Sequence, residues 1–256
     1  MPLTPSQIQA YQTDGFLAPV PVLDAPAADC VREQFDAVEA REGRERAQIG
    51  LIDRHFDNEF IWRLATHPEI LDCVSALIGP DVLLLSTHFF CKYGDANGVD
   101  AGRKYVAWHQ DVTYWGLEPP QAITAWYAVD DSDVENGCMR GIPGSHAAGI
   151  RRHGKAETVG NLLSINQEAA FTPEEEARAA DMPLHAGQIS LHDGALIHGS
   201  LPNRSNRRRC GLTLRYVPAH VRQTAPNSTS GNWRVVLVRG EDRFGNFPRL
   251  DPPFLG

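Results

Sequence analysis

Cysteine is scarce in this 256-residue chain. Cys30, Cys73, Cys91, Cys138 and Cys210 are odd in number, scattered, and form no C-x-x-C. That pattern excludes a disulfide framework and a zinc knuckle, and it fits reduced thiols in a cytoplasmic protein. Basic charge is also in short supply. Lys and Arg number 24 against 32 Asp and Glu, for a net charge of −8. The field repels a phosphate backbone, and the one dense basic stretch is Arg204 to Arg209, so no nucleic-acid partner is expected. No apolar run approaches the ~18 residues of a membrane span, and Met1-Pro2-Leu3-Thr4-Pro5 has neither a basic n-region nor an apolar h-region. Without export, the acceptor matches Asn203-Arg204-Ser205 and Asn227-Ser228-Thr229 are coincidence. Several motifs are missing too: a G-x-G-x-x-G after a strand, a Walker A loop, an H-E-x-x-H, and a G-x-S-x-G around Gly141 to Ser145. Dinucleotide binding, phosphate cradling, zincin chemistry and a nucleophile elbow are thereby set aside.

What remains is ordinary globular material. Hydrophobic residues make up 42% and charged residues 22%, enough apolar mass for a sizeable core and no composition for disorder. One domain is expected, helical over about residues 1–80 and built of strands over about 81–240. Thr4, Pro5 and Gln7 read as a capping box opening a helix that Gly15 ends. Phe16 to Leu23 reads as an edge strand because of Pro19 and Pro21. Asp24 caps a second helix to about Glu42, with Cys30, Val31, Phe35 and Val38 on one face. Arg41 to Arg46 reads as a solvated helix end or loop. The aromatic stretch Phe56 to Leu64 suits a cover over the barrel or over its mouth. Pro68 to Leu77 is the third helix, stopped by Gly79-Pro80.

From Val82 the pattern changes to strands. These are Val82 to Tyr93, Tyr105 to Asp111, Ala122 to Val129, Cys138 to Ile142 after the Asn136-Gly137 turn, Gly187 to Leu191, Ala195 to His198, Gly211 to Val217 and Trp233 to Val238. Gly94 to Lys104 reads as a loop and Pro248 to Gly256 as an irregular tail. The polar insertion 145–184 carries a helical acidic run, Pro173 to Ala180, and is either a lid over an active site or a solvated decoration. Three helices followed by many short strands predict an α+β fold with a double-stranded β-helix, or jelly-roll, core.

The chemistry centres on Trp108-His109-Gln110-Asp111. Side chains two apart on a strand share a face, so His109 and Asp111 aim together into the barrel while Gln110 turns away. Two imidazoles and one carboxylate on one face of an octahedral ion are the ligand set of non-haem Fe(II) oxygenases. The third ligand comes from further along the chain, where both Leu191-His192-Asp193 and Ile197-His198-Gly199-Ser200 offer a histidine.

The blocks Trp108 to Trp115, Thr124 to Ala128, Glu135 to Arg140, Ile142 to His146, and His198-Gly199-Ser200 with Asn203 and Arg209 resemble the phytanoyl-CoA dioxygenase family in order and spacing. Tyr11 to Leu17 is similar to that family's N-terminal segment. The resemblance implies the jelly-roll fold, which is cupin-like, with N-terminal helices packed outside. It implies His109, Asp111 and His198 as the Fe(II) ligands and as the catalytic centre. It also implies that Arg209, rather than Arg207, Arg208 or Arg215, pairs with the distal carboxylate of 2-oxoglutarate. Lys92, Trp126, Ser200 and Gln110 are matched to further cosubstrate contacts. The implied reaction consumes 2-oxoglutarate and O2, releases succinate and CO2, and oxidises a C–H bond of a small metabolite. Relatives that halogenate carry a small residue in place of Asp111, so hydroxylation, desaturation or ring closure is implied. A metal-dependent hydrolase or isomerase on the same barrel, indifferent to 2-oxoglutarate and O2, is the rival reading, and a non-catalytic jelly-roll binding protein, without turnover, is the other.

The substrate is expected to be a small metabolite bearing an anionic group such as a carboxylate or phosphonate, with a hydrophobic natural-product intermediate as the alternative and an acyl-CoA disfavoured because the dense basic cluster Arg204 to Arg209 already has a role beside the metal. Its grip is assigned to Arg151, Arg152 and His153 or to Arg234, in a pocket that Tyr114, Trp115 and Trp233 are expected to line.

Overall fold

The computed structural model describes residues 2–94, 104–163, 166–227 and 231–254. Most of the expected Gly94 to Lys104 loop, part of the Asn227 acceptor match and the end of the tail lie outside them.

The chain opens with α1 (Pro5–Asp14), capped by Thr4 and Gln7 and ended by Gly15 in the left-handed region. Strand β1 (Phe16–Pro21) follows, then α2 (Ala25–Glu42) on the Asp24 cap. The charged stretch does hold the end of α2, at Glu42, but no loop follows, for α3 (Arg44–Ile49) begins directly after Gly43. The aromatic stretch forms α4 (Glu59–Ala65), with Phe60, Ile61 and Leu64 buried beneath it. With α5 (Pro68–Ile78), five helices rather than three precede the barrel among the described residues. The two extra helices are short, below the length at which an apolar period is readable.

The strands are β2 (Val82–Lys92), β3 (Val106–His109), β4 (Leu117–Glu118), β5 (Ile123–Ala128), β6 (Met139–Gly141), β7 (His153–Lys155) and β8 (Gln167–Ala169). After α6 (Pro173–Ala177) come β9 (Ala180–Met182), β10 (Gln188–Asp193), β11 (His198–Ser200), β12 (Arg209–Pro218), β13 (Arg222–Gln223) and β14 (Val236–Arg239). Three boundaries differ from expectation. β3 stops at His109, and Asp111 begins a 3-10 turn (Asp111–Tyr114). The acidic run stays helical only to Ala177, because β9 takes its end into the sheet. The apolar run Ala195 to Ile197 is a buried turn, not a strand.

A six-stranded antiparallel sheet, β1-β10-β5-β12-β2-β14, faces a four-stranded one, β3-β11-β6-β9, and together they make the jelly roll. The larger sheet sorts its side chains by parity. Cys210, Leu212, Leu214 and Tyr216 of β12 join Ile123, Ala125 and Tyr127 of β5 and Ile189 and Leu191 of β10 in the main core, where they meet Phe35, Ile61 and Ile70 of the helices. The alternate residues Arg209, Thr213 and Arg215, with Trp126 and His192, turn inward to a cavity. One end of the barrel is plugged by Val112, Trp115, Leu117, Val217, Trp233 and Phe247. In the insertion, β7 and β8 form a hairpin and β9 extends the smaller sheet along β6. All five cysteines are free thiols. Among the described residues no helix is long and apolar enough to cross a membrane.

Candidate active site

Antiparallel pairing of β11 with β3 sets His198 directly opposite His109, with ring centroids 4.1 Å apart. Asp111 reaches the same place from the turn that follows β3, since Val112 N–H donates to Gly194 O at 3.1 Å and fixes that turn on the far side of the barrel. Its Oδ1 lies 3.5 Å from His109 Nε2, and Thr124 Oγ1 donates to its Oδ2 at 3.1 Å. One ligand-type atom from each of His109, Asp111 and His198 lies within 4.8 Å of the others, and all three residues are buried.

The chemistry of this donor set suits a divalent metal. His109 Nδ1 lies 2.9 Å from Ala107 O and His198 Nδ1 lies 3.0 Å from Leu196 O. A carbonyl only accepts, so each Nδ1 carries the proton and each Nε2 keeps its lone pair, as a metal requires. Burial, reinforced by His109 and His192, holds His198 well below the ordinary imidazole range, so it stays neutral. Burial pushes Asp111 the other way, but His109 and His192 at its oxygens, with Arg215 and His198 nearby, outweigh it and hold the carboxyl well below its usual range. A neutral imidazole and an ionised carboxylate are the protonation states that bind metal.

His192 stands beside this group and is not one of its three members. Its Nε2 is 3.5 Å from Asp111 Oδ2, its ring centroid is 4.4 Å from that of His198, and neither ring nitrogen has a hydrogen-bond partner.

Next to the trio lies a cavity of about 510 Å³, lined in part by Trp126, Met139, Ser200, Arg209 and Thr213. Arg209 of β12 and Lys92 of β2 are direct cross-strand partners, and both are buried. Like charges placed opposite each other destabilise a sheet. Burial, and then Arg209, push Lys92 far below the usual lysine range. Lys92 Nζ donates to Ser200 Oγ and to Leu201 O, each at 2.5 Å. Arg209 Nη2 donates to Gly137 O at 2.9 Å and lies 3.4 Å from Ser200 Oγ, while its Nε has no partner. The guanidinium carbon sits 5.4 Å from the Trp126 ring centroid. Gly211 makes room for that ring: a Cβ there would stand 1.9 Å from it. Among the described residues, no carboxylate lies within ion-pair distance of either cation. A buried guanidinium with only neutral oxygens for company, beside a lysine whose charge burial disfavours until an anion arrives, forms a receptor for an anion.

The neighbouring arginines face elsewhere. Arg208 pairs with Asp130, Glu39 and Asp36 and stacks over Phe35 on the outer face, and Arg207 pairs with Asp133 and Glu135 at the surface. Gln110, matched to the cosubstrate from sequence, does not reach the cavity. Its Nε2 donates to Gly149 O and Ala195 O, and its Oε1 accepts from Arg151 N–H, so it works as a strut between segments. Of the basic residues expected to grip substrate, Arg151 is held bidentate by Glu175 at 2.8 and 2.6 Å, and Arg152 and Arg234 are exposed. The inward face of β12 supplies a residue whose role sequence reasoning missed, Arg215. It was weighed only as a rival of Arg209, although parity with Arg209 already placed both on one face.

The chain matches the model of the family described as Phytanoyl-CoA dioxygenase (PhyH) over residues 11–211. It is 27% identical over 175 residues to the peroxisomal phytanoyl-CoA dioxygenase of Bos taurus, covering 68% of this chain and 51% of that protein. It is 29% identical over 148 residues to a probable alpha-ketoglutarate-dependent hypophosphite dioxygenase of Stutzerimonas stutzeri, covering 57% of this chain and 50% of that one. The matched segments thus span about half the length of these relatives. Among solved structures, a non-heme monooxygenase, ThoJ in its apo form, superposes with a TM-score of 0.77 at 31% identity, covering 95% of this chain and 86% of that one. A family match over most of its length and a like fold at this identity establish that the chain belongs to the phytanoyl-CoA dioxygenase family.

Proposed function

We propose that the protein is a non-haem Fe(II)- and 2-oxoglutarate-dependent oxygenase that hydroxylates a C–H bond of a small organic substrate. The observation that carries this reading is one cavity shared by the His109, Asp111 and His198 donors and by Arg209, a buried guanidinium with no carboxylate partner among the described residues. The relatives add support, one being described as a non-heme monooxygenase and another as a probable alpha-ketoglutarate-dependent dioxygenase.

His109 Nε2, His198 Nε2 and an Asp111 oxygen would hold the metal. The backbone carbonyls of Ala107 and Leu196 fix the two rings, and Thr124 fixes the carboxylate. Bound Fe(II) supplies O2 activation coupled to loss of CO2 from 2-oxoglutarate. Arg209 takes the distal carboxylate in a bidentate grip, Lys92 and Ser200 complete the anion site, and the Trp126 face holds the planar guanidinium in place. The balance is substrate C–H, 2-oxoglutarate and O2 in, and substrate C–OH, succinate and CO2 out. Asp111 occupies the place that a halide would need, which favours hydroxylation over halogenation. Phe90, Met139 and Leu163 give the reacting position apolar neighbours.

The test is a screen of small organic compounds against the Fe(II)-loaded protein for substrate-stimulated succinate release, with the oxidised product identified by mass. Stoichiometric succinate and a product heavier by one oxygen are expected. Turnover that ignores 2-oxoglutarate and O2 would assign the site to a metal-dependent hydrolase or isomerase instead.

A further inference from the structure

Past the metal-ligand trio the space widens into a second, partly open chamber walled by Ile52, Phe90, Tyr114, Trp115, Leu163 and Trp233. It shares His109, Asp111, Phe90, Leu163 and Arg215 with the first cavity, so the two meet at the trio. Its aromatic and aliphatic walls are interrupted by polar groups, among them Ser86, His88 and Gln167, a mixture that suits a small organic ligand with a polar head. The indoles are set rigidly, Trp115 and Trp233 meeting edge to face at 5.7 Å with Trp233 Nε1 donating to Trp115 O at 3.0 Å.

Among the described residues, Arg215 is the one Lys or Arg that lines this chamber. Arg215 enters from β12 between Ser86 of β2 and Thr124 of β5. Its guanidinium carbon lies 5.4 Å from the Trp115 ring centroid and 6.0 Å from that of Phe90. Its Nε is buried with no partner, and among the described residues no carboxylate lies within ion-pair distance of it. The other carboxylate of the chamber besides Asp111, Asp53, accepts from Ser86 Oγ at 2.7 Å and from Thr87 N–H at 3.0 Å. His88 holds Ile49 O at 2.6 Å through Nε2 and is pushed down to about 3 by burial and by Arg215, so it adds no charge. The arginines that brace this fold look different: Arg54, Arg151, Arg207, Arg208 and Arg239 all reach a carboxylate. Leaving a partly buried cation unpaired is costly, and two aromatic faces hold this one ready in a space open to ligands.

We infer that Arg215 is the specificity residue of the second chamber, taking the carboxylate or phosphonate head of an organic anion whose apolar body lies between Tyr114, Trp115 and Trp233. This deepens the oxygenase reading and rests on it, since it makes that anion the substrate oxidised at the trio. It also moves the anion grip away from Arg151, which Glu175 already satisfies.

The test uses the full chain loaded with redox-inert Mn(II) and 2-oxoglutarate, titrated calorimetrically with benzoate, phenylphosphonate and the neutral benzamide. Wild type is expected to bind at least one anion tenfold or more tightly than benzamide, and the tighter anion names the head group. Arg215→Met should weaken that anion about 30-fold or more, and Arg215→Lys less, with 2-oxoglutarate affinity within about threefold of wild type in both. The proposal is overturned if neither anion is preferred to benzamide, or if Arg215→Met leaves the preference intact. It is also overturned if both variants lose 2-oxoglutarate as severely as Arg209→Ala does, which would make Arg215 a cosubstrate ligand. Melting temperatures monitor folding, and the Lys variant retains the charge if Met proves disruptive. Failure of wild type to bind 2-oxoglutarate while benzoate binding still depends on Arg215 would sink the oxygenase reading and leave the anion site standing.

Discussion

Arg208 and Arg209 are chain neighbours where β12 begins, and replacing each by Ala should produce opposite defects. Arg209 is the inward guanidinium, buried, stacked on Trp126 and free of any carboxylate among the described residues. Removing one partner of a buried charged pair costs ~2–5 kcal/mol. Lys92 and Ser200 remain beside the vacated place, which favours the lower part of that range. About 2–4 kcal/mol converts to roughly 30- to 1000-fold weaker 2-oxoglutarate binding. Thermal stability should hold or rise, because the deletion relieves the like-charge pairing with Lys92. Arg208 is the outward guanidinium, tying α2 to the sheet through Glu39, Asp36 and Asp130 with its side chain 18% exposed. Its loss leaves three carboxylates without their cation. Such a partly solvated hub is worth about 1–3 kcal/mol. In a chain of this size that lowers the melting temperature by roughly 3–10 °C, with 2-oxoglutarate affinity unchanged within about twofold. The assay is calorimetric titration of 2-oxoglutarate into the anaerobic metal-loaded protein beside thermal melts of the same samples. Equal loss of affinity in both variants would refute the assignment of the inward face to the cosubstrate.

Three further outcomes are expected. Alanine at His109, Asp111 or His198 should weaken Fe(II) binding by at least about 100-fold, the upper end of what loss of a mere supporting residue costs, whereas His192→Ala retains the metal; loss in His192→Ala with retention in His198→Ala would reverse the choice of third ligand. Gly211→Ala drives a Cβ to 1.9 Å from the Trp126 ring, costing about 1–3 kcal/mol of stability and weakening 2-oxoglutarate as the ring shifts under Arg209; a variant with unchanged affinity would show the ring to be dispensable. His55 is buried, with Nδ1 3.0 Å from Thr87 Oγ1, and burial pushes it down to about 4. The unfolded chain, titrating near 6.5, binds more protons between those values, so this contribution is whole above about pH 6.5 and is lost as pH falls toward 4, by about 2 kcal/mol between pH 7 and 4.5. Denaturant unfolding of His55→Gln at the two pH values should show a correspondingly smaller drop than wild type, and an equal drop would remove His55 from the account.

The donor trio was legible because period-two alternation and motif order act locally. His109 and Asp111 meet even though β3 ends between them, since the 3-10 turn after Gln110 returns the carboxylate to the same side. The choice between His192 and His198 needed the resemblance, and in space both rings stand at the site; what separates them is pairing, His198 lying across from His109 while His192 lies in the other sheet against Thr124. Gln110 was misplaced because its side-chain partners, Gly149, Arg151 and Ala195, lie 39 to 85 residues away. The substrate arginines were misplaced for a related reason. Local clustering marked Arg151 and Arg152, but Glu175, 24 residues on, neutralises Arg151. The solitary cation is recognisable only once Phe90, Trp115 and Arg215 are brought together from three distant segments.

The parity of β12 bears on how this protein tolerates change along its own length. Between Arg209 and Arg215, each outward residue serves the core and each inward residue serves the cavity. Substitutions can therefore alter ligand choice at Thr213 or Arg215 without touching Leu212 or Leu214. A one-residue insertion or deletion in that span does the reverse: it turns leucines into the cavity and an arginine into the helical core in a single event. Variants of this protein that acquire new ligands should carry length changes in the 145–184 segment and only replacements in β12.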